Sequence, residues 1–176
     1  MIFRLRSGRS AIAERLLPPL FAAGLAACYS FSGGGGFPDA VNTVFIATFE
    51  NQTVQFDLEQ QLFRKMQENL PRSLGVRVAG EANADAIVRG RIMRYEDAAQ
   101  SYRPGQQGNV DVVEHQVTIV VAVEIIQVSE NLILWDSQSV TGRGEYRPDS
   151  QSDEIARNRA LDAVIQQIID GAQSQW

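Results

Sequence analysis

The chain has 176 residues and carries 16 basic against 21 acidic side chains, which gives a formal net charge of −5. An acidic chain is a poor candidate for binding nucleic acid, because that function needs a basic footprint. The single cysteine, Cys28, excludes an intramolecular disulfide, and an unpaired thiol in an exported protein calls for an explanation.

The first 27 residues are typical of a secretion signal. Four arginines within the first 15 residues form a basic segment, and residues 16–27 form an apolar stretch of 12 residues. A helix needs about 20 apolar residues to cross a bilayer, so this stretch is too short to be a membrane span. We therefore predict that residues 1–27 are a cleaved signal peptide.

The tetrapeptide Leu25-Ala26-Ala27-Cys28 resembles a lipobox, the site that lipoprotein signal peptidase recognises. Small residues before the cut allow the extended backbone into a narrow protease groove, and the cysteine supplies the thiol that receives diacylglycerol. We therefore predict lipidation at Cys28; the alternative is an ordinary secreted protein cleaved near an Ala-x-Ala site. Tyr29 follows instead of Asp, which favours the outer membrane by the sorting rule of enteric bacteria.

Residues 28–40 are predicted to form the lipid anchor and a Gly-rich tether. The 12 tether residues after the cysteine have a root-mean-square span of about 17–21 Å if they are flexible. Removing the signal leaves 149 residues with 12 basic and 20 acidic side chains, a net charge of −8. That length is enough for one domain, which we predict at residues 41–176.

The domain is predicted to begin with a β-branched and aromatic strand at residues 43–49, followed by a turn. Asp57 and Gln60 fit the capping box of the next helix, and Pro71 is predicted to end it. The apolar stripe of this helix is Leu58, Leu62, Phe63, Met66 and Leu70. A short strand is predicted at residues 75–80.

A longer strand is predicted at residues 86–98, with a loop at 100–109 that contains one proline and two glycines. Residues 110–128 give the clearest strand signal, because valine and isoleucine alternate with polar residues, as in a sheet with one face in water. A turn leads to a partner strand at 132–141, which Gly142 and Gly144 are predicted to end.

The last predicted element is a helix at about residues 153–172, with Ser150 and Asp153 as its capping box. Its apolar stripe is Leu161, Val164, Ile165, Ile168, Ile169 and Ala172. Two amphipathic helices and a sheet with one wet face bury their apolar sides most simply as a two-layer sandwich. We therefore predict an α+β fold, with both helices on one face of a mainly antiparallel sheet of four to five strands.

A catalytic constellation is not evident in the sequence. His115 is the only histidine and has no second histidine or free cysteine with which to share a metal or a nucleophile. A structural or surface role is therefore the favoured interpretation. Gly33–Gly36 lacks the Lys-Ser/Thr that follows a phosphate-binding loop. We predict that the protein is not an enzyme and has no cofactor and no metal site.

Arginines are the polar feature that stands out in this acidic domain. Arg89 and Arg91 share one face of their predicted strand, and Arg94 follows. Paired guanidinium groups can bind phosphate through parallel hydrogen bonds. The alternative is a solvated strand face whose charges discourage edge-to-edge aggregation.

Several segments, in order, resemble one known family over about residues 28–175. They are the lipobox cysteine with its Gly-rich link, the strand 44–53 with its Phe-x-Asn turn, the Ala-Asp-Ala strand entry at 84–86, the hairpin that ends in Trp135, residues 142–146 and the closing apolar helix. This ordered set resembles the lipopolysaccharide-assembly lipoproteins of the LptE family. One departure is Tyr29, because many members have glycine after the cysteine.

The resemblance implies a helix-on-sheet domain inside a large outer-membrane β-barrel, the lipopolysaccharide translocon. Members act there as a plug and assembly factor and are thought to bind lipopolysaccharide. It follows that Cys28 would anchor this chain on the periplasmic side of the outer membrane, and Arg89 and Arg91 would be the candidate contacts to lipopolysaccharide phosphates.

An alternative of a different class is a periplasmic lipoprotein regulator of a cell-wall synthase. Outer-membrane lipoproteins that activate peptidoglycan synthases have a similar opening, a strand that leads through Phe-x-Asn into an amphipathic helix. The closing helix and the hairpin that ends at Trp135 are more similar to the translocon family.

Overall fold

The computed structural model describes residues 38, 40–104 and 110–175. The predicted signal peptide, Cys28 and nearly all of the tether lie outside these residues. None of the helices in the part that the structure describes is both long and apolar enough to cross a membrane.

The described residues form six strands and two helices, with a short 3₁₀ turn (Glu81–Asn83) before the fourth strand. In chain order they are β1 (Thr43–Ile46), β2 (Glu50–Asn51), α1 (Leu58–Leu74), β3 (Arg77–Val78), β4 (Ala86–Pro104), β5 (Val110–Gln127), β6 (Leu132–Tyr146) and α2 (Asp153–Gln173).

The strands make one mixed sheet in the order β3-β1-β4-β5-β6, with β2 also paired to β4. The long strands β4, β5 and β6 are antiparallel, whereas β1 is parallel to β3 and β4, and β2 is parallel to β4. The α+β class is confirmed, but the prediction of a mainly antiparallel sheet of four to five strands is wrong in strand number and underestimates the parallel pairings. Helix α1 carries the chain back between β1 and β3, and such a crossover makes strands parallel.

The first strand was predicted at residues 43–49 but ends at Ile46, and the turn predicted at residues 50–53 contains a second short strand. Phe49 is buried in the core, and the chain then resumes pairing as β2 beside Arg91 and Ile92 of β4. The strand β4 also extends further than predicted, through Pro104, whereas β5 begins at Val110 as predicted. Their pairing continues past register shifts near Ala99 and Ser101. Of the loop predicted at 100–109, residues 100–104 therefore belong to β4, and residues 105–109 lie outside the described residues.

Both helices pack against the same face of the sheet. The predicted inward face of β5 is confirmed, because Val117, Ile119, Val121, Val123 and Ile125 are all buried in one hydrophobic core. The helix stripes are confirmed too: Leu58, Leu62, Met66 and Leu70 of α1 are fully buried, and so are Leu161, Val164 and Ile168 of α2. An ion pair between Lys65 and Asp162 joins the two helices at the surface.

The helix ends differ from the predicted capping boxes. Asp57 precedes α1 with φ of 67° and makes no side-chain cap, and Pro71 lies inside the helix. Gly75 ends α1 in the left-handed conformation, φ of 71°, and its N–H donates to the carbonyl of Pro71, because glycine adopts this conformation without steric cost. Ser152 is the residue before α2, so the predicted capping pair of Ser150 and Asp153 does not form.

Candidate functional site

The face of the sheet that the helices leave uncovered carries the predicted site residues. Arg89 and Arg91 lie two residues apart on β4 and are both exposed on this outer face, so the predicted shared face is confirmed. Both line a surface cavity of about 490 Å³. The cavity is shallow and mixed in character, since it also contains Ala122 and Ile133.

Arg89 is held by a carboxylate on the neighbouring strand. Its Nε and Nη2 atoms each lie 3.0 Å from Oε2 of Glu124, its cross-strand partner in β5. The Arg89 side chain is still 61% exposed. An exposed pair of this kind is weak, about 0–1 kcal/mol, so an anion can compete for the guanidinium.

Arg91 lies opposite Ala122 of β5 and beside Glu50 of β2. Among the described residues it forms no ion pair within 4 Å. Two carboxylates besides Glu124, those of Glu50 and Asp136, line the same cavity. The cavity therefore contains two guanidinium groups and three carboxylates, and its cationic character is confined to the β4 side.

A third arginine joins this row through a β-bulge. The register of β4 against β5 shifts between Ile92 and Arg94, and this places Arg94 opposite Val120 on the outer face. Simple alternation predicted only Arg89 and Arg91 for one face. The signal that could have shown the bulge is local: an arginine occupies position 94, where alternation from the buried Ile92 expects an inward residue.

His115 belongs to a polar cluster at the far end of the inner face. Its Nδ1 lies 2.8 Å from Oδ1 of Asp97, and the hydroxyl of Tyr146 donates to Oδ2 of the same carboxylate over 2.8 Å. The imidazole and the Tyr146 ring are 5.2 Å apart between centroids. Burial, with the hydrogen bond to Asp97 as second cause, raises the pKa of Tyr146 to about 12.

This cluster joins β4, β5 and β6 at the residue where β6 ends. Asp97 was not predicted as the partner of His115, because the two residues are 18 positions apart and only the β4–β5 register brings them together. Among the described residues no serine, threonine or cysteine is hydrogen-bonded to His115, and no group of three His, Cys, Asp or Glu side chains could hold a metal ion. The arrangement is that of a structural group of hydrogen bonds between neighbouring strands.

Asp85 fastens the start of the domain. Its Oδ2 accepts hydrogen bonds from the N–H of Asn42 at 3.0 Å, from the N–H of Thr43 at 2.9 Å and from the Thr43 hydroxyl at 2.8 Å. These bonds, the Thr43 hydroxyl first, hold the pKa of Asp85 below its ordinary value. The residues at the start of β1 are thus tied to the entry of β4.

Solved structures with this fold come from several bacteria. Lipoprotein B of Nitrosomonas europaea has 15% identity and a TM-score of 0.53, with 79% of this chain and 85% of that chain covered. The PelC dodecamer of Paraburkholderia phytofirmans has 17% identity and a TM-score of 0.51, covering 80% and 93%. Protein CT253 of Chlamydia trachomatis has 9% identity and a TM-score of 0.51, covering 77% and 99%. At such identities the likeness shows the fold alone.

No curated protein sequence matches the chain significantly. The family model described as lipopolysaccharide-assembly, LptE, matches residues 41–171, which is nearly the whole domain and most of the chain. The two-layer fold agrees with that match, and the chain belongs to the lipopolysaccharide-assembly family LptE.

Proposed function

We propose that this protein is an outer-membrane lipoprotein that plugs and helps to assemble the β-barrel of the lipopolysaccharide translocon, and that its outer sheet face binds lipopolysaccharide. The observation that carries the proposal is the family match, which covers all six strands, α1 and all but the last two residues of α2. The role is one of binding and assembly rather than catalysis, and Cys28 is the lipid-bearing residue.

The attachment of the first strand supports a tethered role. A domain that is held on a membrane by one chain end needs that end to be secure, because any load on the tether acts first on β1. The Asp85 carboxylate stabilises the attachment of β1, because it accepts three hydrogen bonds from Asn42 and Thr43. The proposed anchor at Cys28 then lies about a dozen residues away along the chain.

The arginine row supports binding of an anionic lipid headgroup. Guanidinium groups bind phosphate oxygens with charge-assisted hydrogen bonds, which are stronger than neutral ones. Arg89 must leave Glu124 to do so, whereas Arg91 and Arg94 form no ion pair with the other described residues. Arg91 is therefore expected to contribute more to binding than Arg89, and Arg94 extends the site along β4. The apolar Ile133, half exposed beside the cavity, can contact an acyl chain.

The barrel role is tested by co-purification. The protein carries a C-terminal tag, the envelope is extracted with mild detergent, and the partners are identified by mass spectrometry. A stoichiometric outer-membrane β-barrel of translocon size is the expected result. A peptidoglycan synthase without the barrel would contradict the proposal and favour a cell-wall regulator. The same peptide map shows whether Cys28 is the acylated N-terminal residue.

Lipopolysaccharide binding is tested with paired charge deletions. Arg89→Ala with Arg91→Ala removes two cations from the outer face, and Arg64→Ala with Arg72→Ala removes two exposed cations from α1 as the matched control. We expect the outer-face variant to bind purified lipopolysaccharide at least about tenfold more weakly, since each charged hydrogen bond contributes about 1.5–3 kcal/mol. Equal losses in the two variants would indicate a non-specific charge effect.

A further inference from the structure

Two apolar side chains stand in solvent on the short segment between β2 and α1. Val54 is 87% exposed and Phe56 is 82% exposed, the highest values among the large hydrophobic side chains for which exposure is described. Exposed apolar residues are common singly, but two large apolar side chains at this exposure on one short segment indicate a contact surface. We call residues 52–57 the Phe56 loop.

The Phe56 loop is held in one conformation by the side chain of Asn51. The Asn51 amide donates to the carbonyl of Gln55 and to Glu59, both at 2.8 Å. Its carbonyl oxygen accepts from the N–H of Thr53 at 3.0 Å and from the Thr53 hydroxyl at 2.7 Å. The loop is therefore fastened at both ends, to β2 and to the first turn of α1, while its two apolar side chains project outward.

The backbone of the Phe56 loop contains one residue in an uncommon conformation. Asp57 adopts φ of 67°, one of two positive values among the non-glycine residues described. A non-glycine residue in this region is uncommon and costs free energy that the surrounding structure must offset. A rigid loop loses little conformational freedom when it binds, so it suits recognition of a matching pocket.

The pairing of β1 and β2 with β4 gives the position of the loop along the sheet. Val44 of β1 pairs with Ala86 of β4, and Asn51 pairs with Ile92, six residues further along the same strand. At about 3.3 Å per residue, the loop lies about 20 Å beyond the place where the tether enters the domain. It therefore lies beside the middle of β4, which continues past Ile92 to Pro104.

The charges around the Phe56 loop narrow the choice of binding partner. Glu50, Asp57 and Glu59 flank the two apolar side chains. Acidic flanks repel an anionic leaflet, and they repel the same loop on a second copy of this chain. They are complementary to an apolar pocket bordered by basic side chains or other hydrogen-bond donors on a different protein.

We infer that the Phe56 loop is a preformed docking knob, in which Val54 and Phe56 enter an apolar, basic-rimmed pocket of the β-barrel partner. This inference rests on the proposed function, because it names the surface through which that partner is held.

The test compares two pairs of exposed apolar residues. Val54→Ser with Phe56→Ser alters the knob, and Val128→Ser with Leu132→Ser alters a pair of 47% and 46% exposure at the hairpin turn of β5 and β6, the end where the tether enters. Each full-length, lipidated variant is expressed with a C-terminal tag, and the affinity for the detergent-solubilised barrel is measured. We expect the knob variant to bind about 10- to 100-fold more weakly and the control to bind as wild type.

Photo-crosslinking residues at positions 54, 56, 128 and 132 give an independent readout. Crosslinks to the barrel from 54 and 56, but not from 128 and 132, support the inference. Crosslinks from 54 and 56 to lipid or to a second copy overturn it. If wild type retains the barrel and the knob variant retains it equally, the docking inference fails and the proposed function stands. If wild type retains no barrel, the proposed function fails and the docking inference fails with it.

Discussion

Gly142 of β6 packs directly on the backbone of Ala160 in α2. A Cβ atom at position 142 would overlap the carbonyl oxygen of Ala160 and would lie 2.8 Å from Cγ2 of Val164. Gly144 makes the same kind of approach to Ala156 one helical turn earlier. The two glycines were predicted to end the strand, but β6 continues through them to Tyr146, and their role is to let the helix lie against the sheet.

This contact also protects the outer edge of the sheet. The strand β6 is the last in the order and would leave backbone groups unpaired along its free side. Side chains of α2 reach over to it: Gln167 donates to the carbonyl of Thr141 and Arg159 donates to the carbonyl of Glu145, both at 2.9 Å. Close packing at the glycines brings both side chains within reach.

The contact between Gly142 and Ala160 predicts that a methyl group added at position 142 will lower the stability of the fold. Gly142→Ala is expected to lower the free energy of unfolding by about 2–3 kcal/mol, because neither backbone can give way without separating α2 from β6. Gly80→Ala is the matched control, since a Cβ atom at position 80 meets nothing within 4 Å. Urea unfolding followed by circular dichroism measures both; equal stabilities would contradict the contact.

The strands and helices that could be predicted are those with long periodic patterns. Alternation in β5 and the stripes of α1 and α2 placed their buried faces correctly, because burial follows the geometry of each element. The parallel pairing of β1 with β3 and β4 could not be predicted in this way, since it depends on contacts between distant segments. Nor did the pattern distinguish a glycine that turns the chain from one that admits a helix.

In the candidate site, too, some features could be predicted from sequence spacing, and others depend on the pairing of distant segments. The shared face of Arg89 and Arg91 follows from spacing alone. The ion pair with Glu124, which is 35 residues away, follows only from the register of β4 and β5. The turn predicted after the first strand, at residues 50–53, includes only the start of the Phe56 loop. The conformation of the loop depends on the Asn51 side chain, and the exposure of Val54 is visible only once β2 is placed.

The Asp85 carboxylate predicts an acid-sensitive attachment of β1. Its pKa in the folded protein lies below the ordinary 3.8, chiefly through the Thr43 hydroxyl and the Asn42 N–H. Its contribution to stability is therefore complete above pH 3.8 and is lost as the pH falls through the folded pKa. Asp85→Asn is expected to remove this part of the acid dependence and to speed amide hydrogen exchange at Asn42 and Thr43 near neutral pH.

The control for that experiment is Asp149→Asn, which alters an exposed carboxylate in the loop before α2. Amide exchange at Asn42 and Thr43 should stay at the wild-type rate in this variant. Faster exchange in both variants would show that net charge, and not the Asp85 hydrogen bonds, fastens β1.

The raised pKa of Tyr146 predicts a second pH dependence of stability, at alkaline pH. Burial and the hydrogen bond to Asp97 raise its pKa to about 12, against about 10 in an unfolded chain. The unfolded state loses its proton first, so the contribution of Tyr146 is complete below about pH 10 and is lost between about pH 10 and 12. Tyr146→Phe is expected to remove this loss and to cost about 0.5–1.5 kcal/mol at pH 7, the worth of one hydrogen bond.

Melting temperatures measured from pH 7 to 12 test this for wild type and Tyr146→Phe. The matched control is Tyr102→Phe, which removes a hydroxyl from a tyrosine that is 62% exposed on β4. We expect the control to keep the wild-type alkaline slope. If Tyr146→Phe keeps it as well, another group is responsible for the loss.

Gly171 packs against the Trp135 indole, so the effect of Gly171→Ala on stability is expected to depend on whether Trp135 is present. A Cβ atom at position 171 of α2 would lie 2.8 Å from Nε1 of the Trp135 indole and closer still to its Cζ2 atom. In a helix alanine is favoured over glycine by up to about 1 kcal/mol, but this overlap costs about 1–3 kcal/mol. Gly171→Ala is therefore expected to destabilise wild type by about 1 kcal/mol and to stabilise a Trp135→Ala background. A double-mutant cycle in urea measures the coupling, expected at about 2 kcal/mol; the same effect in both backgrounds would show that the indole does not rest on Gly171.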